Sequence, residues 1–190
     1  MHERKEFNPL SCYRAFWNGD TSAVERLVRE YSDGLIRFAY CYVKNAAVAE
    51  EIMEDAFTAL IVKRRSFDTA ENLRAYLYKA VRNKCVDYLR FRKKRVPLED
   101  LDGELVASES ENAETSLLRN ENKKAVYQAL QSLPPQYREV LYLTYYEDYE
   151  AEDLARILRK TKKQIYNLLH RAKNSLKELL VKEGISHENL

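Results

Sequence analysis

The residues best suited to bind a charged ligand lie late in the chain, between positions 156 and 182. Lysine and arginine dominate this segment, and Glu178 is its one acidic residue. The basic residues are Arg156, Arg159, Lys160, Lys162, Lys163, Arg171, Lys173, Lys177 and Lys182. Cations of nearly one sign attract phosphates through counterion release, and neighbouring polar side chains can then reach base edges. The composition therefore predicts a surface that binds nucleic acid.

The same segment has the hydrophobic pattern of a helix-turn-helix between positions 152 and 180. Leu154 and Leu158 predict a short helix that ends at a tight turn. Thr161 is a favourable N-cap for a final helix over about 162–182. One face of that helix is apolar and consists of Ile165, Leu169, Ala172, Leu176 and Leu179. Such a motif places its second helix in the major groove of DNA.

The polar side chains of the final helix are therefore the candidate contacts to duplex DNA. They are Lys162, Lys163, Gln164, Tyr166, Asn167, His170, Arg171 and Lys173. A basic, solvated helix in an ordinary bundle is the alternative interpretation, but it does not explain the nearly single-signed charge.

A second group of residues mixes aromatic rings, cations and an amide on a helix predicted from about Leu73 to Arg95. The group consists of Tyr76, Tyr78, Lys79, Arg82, Asn83, Tyr88 and Arg90. Rings can stack on unpaired bases while cations follow the backbone, so the mixture suits single-stranded DNA. Aromatic residues at helical spacing are as often part of a core, and the pattern alone leaves both interpretations open.

A third group is acidic and lies on a helix predicted over about 47–63. Glu50, Glu51, Glu54 and Asp55 stand beside Met53 and Phe57. An acidic face with exposed apolar groups would suit a basic protein partner. Acidic residues near a helix start are also favoured by the helix dipole, so the composition by itself does not decide between the two.

All three groups of residues lie on predicted helices. With only 4 glycines and 4 prolines and no run of alternating apolar residues, the sequence predicts an all-α fold of two small domains. A long first helix should open with a capping box of Ser22 and Glu25. In the second half, a helix over about 115–133 should stop at Pro134 and Pro135, and the next should cover about 136–146.

The two domains are predicted to be joined by an acidic, flexible linker. Residues 96–114 contain many acids, a proline and a glycine, and they contain no lysine or arginine. Such a stretch buries too little apolar surface to offset its ordering entropy. We therefore expect domains at 1–95 and 115–190, with the helix-turn-helix in the second.

Several functional classes are disfavoured by what the sequence lacks. It has no glycine-rich phosphate loop and no His-Glu-x-x-His motif, so an enzyme, a cofactor or a metal site is not expected. Its 3 cysteines are far apart and predict free thiols in a reducing cytosol. The start of the chain lacks a signal peptide and no apolar run could span a bilayer, which predicts a cytoplasmic protein without a membrane partner.

The order of these parts resembles the sigma factors of the extracytoplasmic-function (ECF) type in the sigma-70 family. Residues 49–57 (AEEIMEDAF) and 72–83 (NLRAYLYKAVRN) resemble region 2 of that family. Residues 133–140 (LPPQYREV), 153–158 (DLARIL) and 170–176 (HRAKNSL) resemble region 4. The resemblance covers roughly residues 15–180 in the family's order.

The resemblance implies a non-enzymatic initiation factor that binds core RNA polymerase and promoter DNA, both double- and single-stranded. It implies docking on the beta-prime clamp and beta flap, the first through Glu51, Glu54, Asp55 and Phe57. It places the −35 element on the final helix and the −10 element on loop 66–72 and the helix after it. The implied −10 residues are Phe67, Asp68, Asn72, Tyr76, Lys79, Arg82, Asn83, Asp87 and Arg90. Family members are often held by an anti-sigma factor, although no residue here demands one.

The chain departs from the family pattern at a few positions. Arg159 replaces the usual glycine of the helix-turn-helix turn, so we expect it in a strained backbone conformation. Tyr166 and Leu168 stand where a basic residue is common, and Tyr76 stands where tryptophan is common.

Two other functions remain possible from the residues. The first is a helix-turn-helix regulator that binds duplex DNA without joining polymerase, although such a protein needs neither the acidic face nor a helix suited to single strands. The second is a helical adaptor that binds only proteins. Salt-sensitive DNA affinity of the 115–190 segment would argue against it.

Overall fold

The computed structural model describes residues 7–95 and 129–182, and its regular structure there is entirely helical. This confirms the predicted all-α fold. The chain divides into two compact units, Met1–Arg90 and Phe91–Leu190. The predicted linker at 96–114 lies outside the described residues, so the domain boundaries stay a prediction. Within the described ranges, no helix combines the length and apolar character needed to cross a bilayer.

The described part of the first unit contains the helices α1 (Pro9–Trp17), α2 (Ser22–Val43), α3 (Ala46–Lys63) and α4 (Ala70–Arg95). Three of them begin at a polar cap: the Asn8 and Asn45 side chains accept hydrogen bonds from backbone N–H groups of α1 and α3, and Thr69 does so for α4. The sequence analysis predicted α2, α3 and α4 but did not predict α1.

The predicted capping box at the start of α2 is wrong. Thr21 is the N-cap residue and its side chain makes no capping hydrogen bond. Instead, the Ser22 hydroxyl donates to Asp20 Oδ1 at 2.5 Å, and Arg26 Nη2 pairs with Asp20 Oδ2 at 2.8 Å. The hydrogen bond from Ser22 is the main cause that lowers the pKa of Asp20. The Ser22 hydroxyl is therefore engaged by Asp20, which precedes the helix, and does not form a capping box with Glu25.

The core of the first unit comes from apolar residues on all four helices. Leu27, Leu35 and Phe38 of α2 are fully buried, as are Leu60 of α3 and Leu73 of α4. Complete burial of a leucine or phenylalanine side chain contributes about 1.5–3 kcal/mol to folding. This packing fixes the positions of the polar side chains that remain outside.

The described part of the second unit begins with a helical segment at 129–132 and continues through α5 (Pro135–Tyr145), α6 (Ala151–Leu158) and α7 (Lys162–Lys182). Only 129–132 of the helix predicted at 115–133 is described. Pro135 occupies the first turn of α5, where its missing N–H has no consequence. Val140, Leu143, Leu154, Ile157 and Ile165 form the interior. It holds α6 and α7 in the predicted helix-turn-helix.

Candidate nucleic-acid and protein interfaces

The turn between α6 and α7 is built on a left-handed residue. Arg159 has φ 54° and ψ 50°, as the loss of the usual glycine predicted. The backbone N–H of Lys160 donates to the Ala155 carbonyl at 3.0 Å and closes the turn. A non-glycine residue in this conformation costs about 1–2 kcal/mol, so the surrounding packing must hold it there.

The start of α7 is fixed by a reciprocal pair of hydrogen bonds. Gln164 N donates to Thr161 Oγ1 at 3.2 Å, and Thr161 N donates to Gln164 Oε1 at 2.8 Å. This is a capping box, and it confirms Thr161 as the N-cap. Gln164, which we predicted as a DNA contact, therefore already uses Oε1 to order the helix start.

The outward side of α7 carries the remaining predicted contacts to duplex DNA. All are exposed, and Tyr166 is the most open of the large apolar residues on this helix at 61%. They are Lys162, Lys163, Tyr166, Asn167, His170, Arg171 and Lys173. Leu168, which we placed at a position where the family has a basic residue, is instead buried at 9% exposure. It lies three residues after Ile165 and four before Ala172, and therefore on their inward stripe.

Several of these side chains are oriented by local contacts. Lys162 Nζ lies 2.8 Å from Glu152 Oε2, and this hydrogen bond raises the pKa of Lys162 while it lowers that of Glu152. His170 Nε2 lies 3.1 Å from Asn174 Nδ2, and Lys173 Nζ lies 5.4 Å from the centre of the Tyr145 ring. A cleft of about 250 Å³ is lined in part by Lys160 and by Asn167 and Arg171 of α7. The surface can therefore offer both positive charge and amide groups to a ligand.

Two charged residues lie inside the second unit, and the sequence analysis did not identify them as such. Arg138 is 7% exposed and Glu139 is 2% exposed. Arg138 Nη1 donates to the Gln131 carbonyl at 2.7 Å, which ties α5 to the preceding helical segment. Burial raises the pKa of Glu139 to about 8, and the charge of Lys160 opposes this increase. Glu139 lies four residues before the buried Leu143, and this spacing was the signal available for it in the sequence.

The first unit places the predicted single-strand contacts around a loop at 64–69 and along α4. Phe67 and Asp68 lie in this loop, whereas Asn72 lies in the first turn of α4 because that helix begins at Ala70. The predicted loop 66–72 therefore extends too far toward the C-terminus, into the first turn of α4. Along α4, Tyr76, Lys79, Arg82 and Asn83 are half-buried, and the exposed Arg90 and Asp87 lie 3.8 Å apart.

The aromatic residues of α4 divide into two roles. Tyr76 is half-buried and its ring lies 5.4 Å from that of Phe67, and burial raises its pKa. Tyr78 is only 1% exposed and packs edge-on against Phe38 at 5.3 Å. The interpretation of Tyr78 as part of a DNA-facing group is therefore wrong, since its ring belongs to the core.

The acidic face of α3 is exposed, but it lacks the apolar groups that we predicted for it. Glu51, Glu54 and Asp55 are exposed, and Asp55 Oδ2 pairs with Lys84 Nζ of α4 at 2.6 Å. Met53 and Phe57 are 7% and 4% exposed. They follow the three- and four-residue spacing of the buried residues Ala49, Ile52, Ala56 and Leu60. Phe57 therefore supports this surface from inside and does not form part of it.

Comparison with known proteins identifies the family to which the chain belongs. The family descriptions sigma-70 region 2 and sigma-70 region 4 match residues 27–95 and 123–176. The chain is 30% identical over 148 residues to the ECF RNA polymerase sigma factor EcfG of Rhodopseudomonas palustris, covering 77% of this chain and 79% of that protein. The chain belongs to the ECF sigma factors. As a member of this family it is not an enzyme, and it directs transcription initiation by RNA polymerase.

Two further relatives support the assignment of this chain to the ECF sigma factors. It is 26% identical over 166 residues to the ECF sigma factor SigM of Bacillus subtilis, covering 87% of this chain and 99% of SigM. Its fold is similar to that of the sigma factor RpoE of Bartonella quintana, solved in complex with the anti-sigma factor NepR. That similarity has a TM-score of 0.64 at 25% identity and covers 82% of this chain and 95% of RpoE. The helix α1 precedes the region 2 match.

Proposed function

We propose that this sigma factor binds core RNA polymerase through the acidic face of α3, holds the opened −10 element with loop 64–69 and α4, and reads the −35 element with α7. The observation that carries the proposal is that the side chains of α7 divide into a buried face and an exposed face. Its inward stripe of Ile165, Leu168 and Ala172 is buried, while its cations and amides stand outward after a capped start. A helix-turn-helix with such a second helix is suited to the major groove.

The first unit supplies the other half of the proposed function. Its exposed carboxylates Glu51, Glu54 and Asp55 suit a basic surface, for which we propose the beta-prime clamp, with the beta flap as the contact of the second unit. The half-buried rings and cations of α4 suit unpaired bases, and each base stacked on a ring contributes about 1–3 kcal/mol. Opening of the DNA then requires no energy source supplied by the sigma factor itself.

Regulation by an anti-sigma factor is a further part of the proposal. It is supported by the similar fold of RpoE, which was solved in complex with such a partner. Because a sigma factor acts where polymerase and chromosome meet, we propose the cytoplasm as its compartment.

The test uses the full chain with core polymerase from its host and two variants that serve as controls for each other. Charge reversal in Glu51→Lys/Glu54→Lys should abolish co-migration with core enzyme, whereas Arg171→Ala should co-migrate normally. Arg171→Ala should instead weaken promoter binding by about 1–3 kcal/mol, because it would lose a base or phosphate contact. The measurements are gel filtration and run-off transcription on a library of host DNA.

The same experiment distinguishes the alternatives. If the unaltered chain fails to co-migrate with core enzyme, the sigma mechanism proposed here is wrong, even if the chain binds duplex DNA as an ordinary regulator would. If Arg171→Ala leaves promoter affinity unchanged, α7 does not read DNA through that residue.

A further inference from the structure

Two neighbouring arginines at the end of α3 lie against aromatic rings from different helices. The guanidinium carbon of Arg64 lies 4.2 Å from the centre of the Trp17 ring of α1. That of Arg65 lies 5.4 Å from the centre of the Tyr76 ring of α4. Both distances are within the range of a cation–π interaction, and both arginines remain exposed. The rings therefore restrict the two guanidinium groups without removing them from solvent.

The backbone that carries these arginines is held from two sides. The Phe67 ring lies 5.5 Å from Tyr13 of α1 and 5.4 Å from Tyr76 of α4. Arg14 Nη2 donates to the Phe67 carbonyl at 3.5 Å. Tyr13 is only 3% exposed, and its hydroxyl lies 3.5 Å from the Leu60 carbonyl. The contacts of α1 thus fix both ends of segment 60–67.

The backbone conformation of Arg64 also favours a fixed position for its side chain. It is the C-cap of α3 and adopts φ 48° and ψ 43°, a left-handed conformation in which glycine is strongly favoured. A cation at the C-terminal end of a helix gains from the helix dipole. In this conformation the guanidinium lies over the Trp17 ring.

We propose that Arg64 and Arg65 form a phosphate-binding site for single-stranded DNA, with Trp17 and Tyr76 as the platforms that orient them. A guanidinium stacked on a ring keeps its in-plane N–H donors directed outward, where they can bind phosphate oxygens in pairs. Lys63 adds a third exposed positive charge beside them. The proposal rests on the function proposed above, because the strand it would hold is the one unpaired at the −10 element.

The contribution of α1 goes beyond the part of the chain that matches region 2. That match begins at residue 27, whereas Trp17, Tyr13 and Arg14 precede it. In this sigma factor a helix outside the matched range therefore supplies one of the two platforms and positions the loop.

The main experiment measures binding of the holoenzyme to a promoter fragment whose −10 non-template strand is single-stranded, at several salt concentrations. Arg64→Gly and Arg65→Ala should each weaken binding about threefold to tenfold and reduce the salt slope by about 0.7, as expected for one lost contact to a single strand. Because glycine suits the left-handed backbone of Arg64, we expect Arg64→Gly to retain the fold. The matched control is Arg29→Ala, an exposed arginine of α2, which should change neither quantity.

Trp17 provides a second measurement because it is the only tryptophan of the chain. Titration of the full chain with a single-stranded oligonucleotide should change Trp17 fluorescence, and Arg64→Gly should reduce this change. In the holoenzyme, Trp17→Phe should retain most of the affinity. Trp17→Leu should weaken binding and should make the added effect of Arg64→Gly smaller than in the unaltered chain.

The outcomes separate this inference from the function on which it rests. If the unaltered holoenzyme does not bind the fragment, both are overturned. If it binds, and both arginine variants retain its affinity and salt slope, only the phosphate site is overturned.

Discussion

The helices α7 and α4 both carry side chains proposed to contact DNA, yet they relate to their cores differently. The buried residues of the first half of α7 are Ile165, Leu168 and Ala172, a single stripe with helical spacing. On α4 the buried residues are Leu73, Ala75, Leu77, Tyr78, Val81 and Cys85, which cover a much wider arc. A narrow stripe leaves the opposite face free, and its exposed residues follow from spacing alone. A wide arc mixes core and surface residues of the same chemical type, so composition cannot separate them.

The prediction with the largest expected effect tests this contrast by replacing a tyrosine with alanine on each of the two helices. Tyr78→Ala should lower the free energy of unfolding by about 3–5 kcal/mol, because it empties a core site beside Phe38. Tyr166→Ala on α7 should change it by less than about 0.5 kcal/mol, because that side chain is 61% exposed. Urea unfolding followed by far-ultraviolet circular dichroism measures both. Equal losses for the two variants would contradict the assignment of Tyr78 to the core and Tyr166 to the surface.

A second prediction concerns the interiors of the two units. In the described residues the buried charged side chains are Arg138 and Glu139, both in the second unit. The pKa of the Glu139 carboxyl is raised to about 8 from an ordinary value of 4.5, so between these values the folded state keeps a proton that the unfolded state has released. The free energy of unfolding should therefore fall as pH rises from about 5 to 8, by at most about 1.4 kcal/mol per pH unit, and then level off.

Glu139→Gln removes this titration and should flatten that part of the profile. Urea unfolding of both proteins at pH 5, 6, 7 and 8 gives the comparison. If the two profiles run parallel over this range, Glu139 does not titrate there, and any slope comes from other groups.

The smallest effect concerns the turn before α7. Arg159→Gly should raise the free energy of unfolding by up to about 1 kcal/mol, because glycine adopts φ 54° without a Cβ clash. Arg156→Gly, three residues earlier inside α6, should lower it by about 1 kcal/mol, because glycine is unfavourable within a helix. Thermal unfolding should show shifts of opposite sign. A loss of stability in Arg159→Gly would show that the arginine side chain stabilises the turn more than its backbone strains it.

Where the sequence analysis was wrong, the errors share a cause. Met53 and Phe57 were placed beside the acidic face of α3, and Tyr78 was grouped with candidate DNA contacts of α4, but all three are buried. Met53 and Phe57 stand at three- and four-residue steps from buried residues of α3, and Tyr78 follows the buried Leu77 on α4. A single-helix pattern cannot tell how much of the circumference neighbouring helices cover, so it does not fix where the buried arc ends. The capping box of Ser22 was wrong because Asp20 accepts the hydrogen bond of the Ser22 hydroxyl, and spacing alone does not show which acceptor this hydroxyl binds.

The sequence by itself determined the all-helical fold, the bounds of α3 and α7 to within a residue or so, the helix-turn-helix and the left-handed turn at Arg159. The helical fold, the helix bounds and the helix-turn-helix follow from hydrophobic period, capping residues and charge, which act over a few neighbouring positions. The expected conformation of Arg159 followed from the resemblance to the ECF sigma factors, in which a glycine is usual at this position. Only the tertiary structure decided which aromatic rings enter the core and which stack beneath arginines. It also brought α1 against loop 64–69, where Arg14 reaches the Phe67 carbonyl from far away in the chain. Contacts of this kind depend on how helices pack in space, and no local pattern in the sequence records that packing.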